Sequence, residues 1–543
     1  MSGSDRKTIT TKSKEQAQGV ATPPAFLWCL LFGMGIFLFA TVFFAHVHPL
    51  VPYDMDDWLY VGWRRNAYPI WKDWNPARVF PETFMSLVSD FGVHVLIPIL
   101  HLDYIHALIL AHAVSVAFFI TVYVMLFRSF IREKAKISSA AAYMLTLLFL
   151  LFHFSIFRRQ YNGNQHLFWT FNVTGYYYYV IPNLINASLV LFFMTKGKDG
   201  IRNLSPIKKG VLFLSIYLAM FSNLFASIIL VVPAAGELVL DAYLCLVKRK
   251  QSLKLYLERS FWNLLIVGLW LVSLVFEANG GRADGAGGFA LSESISGFFA
   301  WGGQLNLQTT ALSLLIVVVG VVLSILPMVA KGKGSGSVKK QQSAEKGDTA
   351  KVHPASADGK SRWISGDVPV SVPGFVFCLL VCAVFEILLC AKVGADKLEI
   401  CRVIFSVCFY AFLVIFWFAG QILAKWPKTL ILLPLIFYVL LMNARMGERI
   451  FLEENGIDLD AQLCIAIDQD IIDQIIAADR AGLTEAVIVV PLEEDQDEDN
   501  WPHVIRMGSA LSQTLYKHGI ISRRLELEVQ PDHAMNEKYG LQY

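Results

Sequence analysis

Charge is scarce in this chain: Asp, Glu, Lys and Arg supply 17% of its 543 residues, against about a quarter in an ordinary soluble domain. With 55% apolar residues and a mean hydropathy of +0.51, that shortage excludes a soluble protein and describes a polytopic membrane protein. The formal charge of +2 names no partner class, because the charges are segregated along the chain, and no nucleic acid is expected as a partner. A cleavable signal is missing: residues 1–24 are polar and basic and lead into an apolar run long enough to stay in the bilayer as a first helix. The eight cysteines show no zinc spacing. Five of them (Cys29, Cys245, Cys378, Cys382 and Cys408) lie within apolar runs and read as small packing residues. Cys390 and Cys401 flank one short loop where a disulfide would fit, with free thiols as the expected state. The glycine-rich "EANGGRADGAGG" lacks the Gly-Lys-Ser/Thr ending of a phosphate-binding loop, and "EEDQDEDN" lacks the alternation and glycine of a calcium loop.

Long apolar runs are what the sequence has. At the roughly 20 residues a bilayer core requires, they fall near 25–46, 103–127, 137–157, 176–195, 210–228, 229–247, 261–277, 307–330, 371–391, 401–424 and 429–444. Eleven spans are therefore expected. With the N-terminus inside, the cytoplasmic segments 1–24, 128–136, 196–209, 248–260, 331–370 and 425–428 hold 28 of the 46 Lys and Arg residues. That asymmetry follows the positive-inside rule and puts the C-terminus outside. Residues 331–364 are rich in Gly, Ser and Lys and read as a disordered cytoplasmic linker. From 446 to 543 the chain changes character. "DQDIIDQIIAADRAG" has helical spacing, "TEAVIVVPL" reads as a buried strand, "NWPHVIRMGSALSQTLYKHG" as a second helix and "SRRLELEV" as an alternating strand. A small extracytoplasmic α/β domain is expected there.

Residues 47–102 form the long outer loop that follows the first span. It opens on "YDMDDWLYVGWRRNAY", with Asp54, Asp56, Asp57, Arg64 and Arg65 among five aromatics, and continues through "WKDWNPARVFPETF", which carries Trp74, Arg78 and Glu82. The piece "GVHVLIPILHL" looks too short to span and is expected to lie along the membrane surface. Ionisable groups held at membrane depth point to a site. A sugar carried on a polyprenyl phosphate presents its reactive carbon at this level. Its transfer needs one carboxylate as general base and cations where charge grows on the phosphate. Because the phosphate leaves unprotonated, one carboxylate suffices, whereas a glycoside hydrolase ordinarily needs two. Trp58 and Trp74 offer flat faces to sugar rings, although tryptophan also gathers at interfaces for its own sake. Further cations on the outer side are Arg158 and Arg159, Arg282, Lys392 and Arg402; guanidinium forks suit phosphate. His46 and His48 with the aspartates could make an oxygen–imidazole metal site, but His46 ends a helix and no metal is assigned.

An N-in first helix, a large outer loop and the motif "DMDDW" with downstream arginines together resemble the GT-C glycosyltransferases, including the bacterial GtrII-like glucosyltransferases. The resemblance implies an all-α polytopic fold across residues 25–445, with a small α/β domain behind it. It implies a bacterial cytoplasmic-membrane enzyme that needs no cofactor and moves a sugar from a polyprenyl-phosphate donor to an extracytoplasmic acceptor with inversion. The acceptor would be a cell-surface polysaccharide, teichoic acid or glycolipid. By position, the base role carries to Asp56, with Asp57 and Asp54 as reserves. A polysaccharide ligase or polymerase, or a secondary transporter, are the competing classes. The late outer loops are short for the former, and the repeat halves of the latter are not evident.

Overall fold

The computed structural model describes residues 25–52, 55–64, 76–158, 166–170, 172–248, 252–279, 288–333, 371–444, 461–491 and 504–541. Asp54, Arg65, Trp74, Arg159, Arg282 and the expected linker 331–364, apart from its helical start to residue 333, lie outside them. In chain order the helices are α1 (Phe26–Val47), α2 (Met55–Gly62), α3 (Val79–Leu100), α4 (Tyr104–Ala135), α5 (Ser139–Ser155), α6 (Val173–Arg202), α7 (Pro206–Met220), α8 (Leu224–Lys248), α9 (Leu253–Ala278), α10 (Leu291–Gly302), α11 (Leu307–Lys333), α12 (Val372–Val393), α13 (Phe405–Lys425) and α14 (Pro427–Met442). Their starts follow local chemistry, since short polar side chains at the junctions take up the orphan N–H groups of the first turn. Asp103 accepts from the His106 amide at 2.9 Å, Ser138 from Ala141 at 3.2 Å and Asn223 from Phe225 at 2.9 Å.

Among the described residues, nine helices are long and apolar enough to cross a membrane: α1, α3, α4, α6, α8, α9, α11, α12 and α13. The expected spans at 137–157 and 429–444 are the shorter apolar helices α5 and α14. The expected span at 210–228 divides, because α7 ends at Met220 and Asn223 caps a new helix. The largest difference is α3. The surface piece expected near 92–102 is the second half of a continuous 22-residue apolar helix, to which residues 79–91 supply the first half. It runs antiparallel along α4. Ser89 Oγ meets His112 Nε2 at 3.3 Å, and the Phe80 and Phe119 rings lie 6.3 Å apart. At the crossing, a Cβ on Gly92 would sit 2.9 Å from the Ala107 carbonyl, so only glycine lets the backbones approach this closely. The centre of the bundle is aromatic: the Phe127 and Phe149 rings stack at 3.8 Å, with Phe416 of α13 edge-on to both. All eight cysteines are free thiols, Cys390 and Cys401 included.

The C-terminal elements appear in the order read from sequence: α15 (Ala461–Arg480), β1 (Glu485–Pro491), α16 (Val504–Lys517), β2 (Glu526–Asp532) and α17 (His533–Tyr539). The strands pair in parallel, Glu485 opposite Glu526 through Pro491 opposite Asp532, which requires the crossover that α16 provides. Two side chains tie helices to strands. Gln474 of α15 bonds both the carbonyl and the amide of Val489, at 2.9 and 2.8 Å. Ser512 of α16 does the same for Leu525, at 2.8 and 2.9 Å. The unit docks on the membrane bundle through α16, which lies on α2. Thr514 Oγ1 donates to the Trp58 carbonyl at 2.6 Å, and Tyr104 and His518 share a hydrogen bond of 2.7 Å.

Candidate functional site

The acidic pair in "DMDDW" splits into two different groups. Asp57 is fully buried. Its Oδ2 accepts the Val173 amide at 3.0 Å, and its Oδ1 accepts both the amide and the hydroxyl of Thr174 at 2.6 Å. Asp57 thus caps the N-terminus of α6, where a carboxylate satisfies orphan amides and meets the positive end of the helix dipole. Asn172 closes the same turn through the Gly175 amide at 2.8 Å. Asp56, one residue earlier on α2, is exposed. Of the two, it is Asp56 that faces out. The reserve role expected for Asp57 as a base gives way to a structural one, since its lone pairs are committed to α6.

Opposite Asp57 stands Asp468 of α15, buried, with neither oxygen hydrogen-bonded among the described residues. Burial, and then the Asp57 charge, raise its pKa well above the ordinary carboxylate range. The shift favours the neutral acid, which avoids two facing carboxylates.

Four consecutive tyrosines open α6 and distribute the polar contacts around it. Tyr176 approaches His48 at 3.3 Å, and Tyr177 bonds His112 Nδ1 at 2.7 Å. Tyr178 donates to Glu82 Oε1 at 3.0 Å, and the ring of Tyr179 lies 5.3 Å from the Arg402 guanidinium carbon. Burial lowers the His48 pKa to about 3, so this imidazole is neutral and packs edge-on to His166, which burial also pushes well down. Among the described residues, no three His, Cys, Asp or Glu side chains converge as metal ligands.

The expected cations divide as well. Arg78 caps α3 with a left-handed backbone (φ 60°) and grips Glu277 of α9 with a two-pronged fork, at 3.1 and 2.6 Å. Arg64 donates to Ser86 Oγ at 3.1 Å and pairs with Asp90. Arg402 is buried beside Tyr179, and its carbonyl accepts from Asn183 at 2.9 Å. Arg158 is exposed, its amide donating to the Gln304 carbonyl at 2.7 Å, and Lys392 is exposed at the end of α12; these contacts do not bring either one into the Arg78–Glu82 group. Trp58 is fully buried under α16 and cannot offer a ring face to a sugar in this arrangement.

Below this group runs an apolar cavity of ≈ 950 Å³ between α3, α4, α6 and α7. Val79, Phe80 and Phe84 line one end, one turn from Arg78 and Glu82, while Lys196 and Lys208 stand at the other. Sequence reasoning missed Glu277, Asp468 and the tyrosine run. The run was visible as "YYYY" beginning four residues after the capping Asn172; the two acids find their neighbours only through tertiary packing. No family model, no curated protein and no solved structure matches this chain.

Proposed function

We propose that the protein is an integral membrane glycosyltransferase that uses a lipid-phosphate-linked sugar. The observation that carries this reading is the arrangement along α3: a charged end with Arg78 and Glu82, continuous with an apolar groove lined by Val79, Phe80 and Phe84. A polyprenyl phosphate has the same two parts, a charged head and a long apolar tail. Asp56 is the exposed carboxylate of the neighbouring helix and serves as general base. It takes the acceptor hydroxyl proton as the new oxygen–carbon bond forms and the bond from the sugar carbon to phosphate breaks. The phosphate departs with the electron pair, unprotonated, its charge met by arginine at the outer mouth. Attack opposite the leaving group inverts the sugar carbon. The bacterial envelope setting and the C-terminal unit outside the cell belong to the same proposal.

Mass spectrometry of lipid that co-purifies with the protein is the direct test. A polyprenyl phosphate or its glycoside is the expected result. Consistent recovery of ordinary phospholipids alone, with no transfer from added polyprenyl-phosphate sugars, would refute the reading.

A further inference from the structure

At the opposite end of α6, on the order of 40 Å from Asp57 by helix rise, a second cavity of ≈ 740 Å³ opens between α4, α6, α7, α8 and α9. Its floor is apolar, with Val190, Met194, Leu230 and Ile266. Its wall carries Lys134, Lys198, Arg202, Lys209 and Arg259 against Asp199, Glu237 and Glu258. The deeper acids are already met inside the wall. Lys198 lies 2.5 Å from Asp241 and 3.4 Å from Glu237, Arg259 lies 3.8 Å from Asp241, and Asn263 donates to Glu237 at 2.6 Å. Asp199 and Glu258 are exposed on the rim, where water can solvate them. Of the remaining cations Arg202 is exposed, which leaves Lys134 and Lys209, both half-buried in the wall and forming no ion pair among the described residues. A half-buried ammonium without a carboxylate is short of a counter-charge.

We propose that this cavity binds the headgroup of an anionic glycerophospholipid, with its phosphate at Lys134 and Lys209 and its acyl chains on the apolar floor. The location favours a lipid over a soluble phosphate, because the floor residues belong to helices apolar enough to cross the membrane. The cavity also lies at the Lys- and Arg-rich end of the bundle, where basic pockets between helices meet charged headgroups. This inference does not rest on the proposed transferase activity; the cavity shares no lining residue with the groove beside Arg78.

The test uses the full chain in nanodiscs of phosphatidylethanolamine alone, or with phosphatidylglycerol added, read by native mass spectrometry and thermal unfolding. Phosphatidylglycerol should stay bound and raise the unfolding temperature. Lys134→Gln with Lys209→Gln should weaken its retention about thirtyfold, the scale of two lysine contacts to anionic lipid. The same charge loss at two exposed lysines, Lys425→Gln with Lys428→Gln, should leave retention unchanged. Should the first pair fail to fold, Lys134→Arg with Lys209→Arg keeps the charge and should still bind. Equal loss in both glutamine pairs would reduce the effect to net charge and overturn the site. No loss in either pair, or no binding by the arginine pair, would do the same. Displacement of the lipid by millimolar inorganic phosphate or glycerol 3-phosphate would assign the cavity to a soluble phosphate and overturn the lipid.

Discussion

Replacing Gly62 with alanine tests whether the C-terminal unit is fixed to the acidic helix α2. A Cβ at that position would lie 2.7 Å from Thr514 Cβ and 2.8 Å from Thr514 Cα, with Oγ1 nearer still. Because one of those atoms is backbone, no rotamer change relieves the clash. α16 must retreat by roughly 0.7 Å to restore ordinary carbon–carbon contact of about 3.5 Å. The 2.6 Å hydrogen bond from Thr514 to the Trp58 carbonyl then stretches to about 3.3 Å, beyond the roughly 2.5–3.0 Å of a good O–H···O bond. Overpacking of this kind costs about 1–3 kcal/mol, and the lost hydrogen bond about 1 kcal/mol more. The sum, about 2–4 kcal/mol, favours the undocked state by a factor of roughly 30 to 700. Hydrogen–deuterium exchange reads this directly. Amides of residues 510–518 and 55–62 should lose protection together by that factor, while the central helices α4 and α13 keep theirs. Wild-type protection in Gly62→Ala would mean that the contact between α2 and α16 does not hold the unit in place.

Asp56→Asn should cut transfer by about a hundredfold or more with unchanged thermal stability, as expected for a general base. Asp57→Asn should instead lower the unfolding temperature through a loss of about 1–2 kcal/mol at the α6 cap; equal effects of the two variants would refute the division of roles. Arg78→Ala leaves Glu277 without its partner and should destabilise the protein measurably, with Arg78→Lys recovering only part, since an ammonium cannot make the fork; calorimetry of the two variants decides it. Docking should also depend on pH through His518, whose pKa burial lowers to about 4, against a backbone hydrogen bond at Val61 that raises it and with the nearby His94, Lys517 and Arg64 lowering it further. Between about 4 and the ordinary value near 6.5, undocked His518 binds a proton that the docked form refuses. Docking therefore strengthens as pH rises through that window, by up to about 3 kcal/mol, and His518→Gln should flatten the slope in exchange experiments run from pH 4 to 7.

How much of this was legible in the sequence differs by element. Apolar length identifies a long helix when the run is unbroken, so α4, α6, α12 and α13 were readable, with Asp103 and Ser371 capping the starts of α4 and α12. It failed at α3, where Glu82 and Asp90 dilute the apolar signal. Glu82 is bonded by Tyr178, and Asp90 pairs with Arg64, so a helix that looked too polar has its charges met by neighbours. The tail was readable because strands and helices differ in period. Parallel pairing followed from there being a helix between the two strands.

The site was legible as a place and not as a set of roles. "DMDDW" marks an acidic cluster at the end of α1, yet nothing in five residues says that consecutive aspartates have opposite fates. On an α-helix, adjacent residues point about 100° apart, so a helix packed on one side can bury one of the pair and expose the other. Which one is buried depends on α6, whose first amides need an acceptor, and on α16, which covers Trp58 on the same side. Asp57 meets three donors in that packed setting. Asp468 has none among the described residues, and burial raises its pKa well above the ordinary carboxylate range. Replacing Asp468 with asparagine removes a titratable group that feels the Asp57 charge. Docked Asp468 is protonated while the undocked acid ionises above about 4, so its contribution weakens docking as pH rises, opposite in sign to that of His518. Asp468→Asn should therefore leave a steeper rise of docking with pH than the wild type shows. An unchanged slope in the exchange experiment would mean that Asp468 does not titrate between the docked and undocked states.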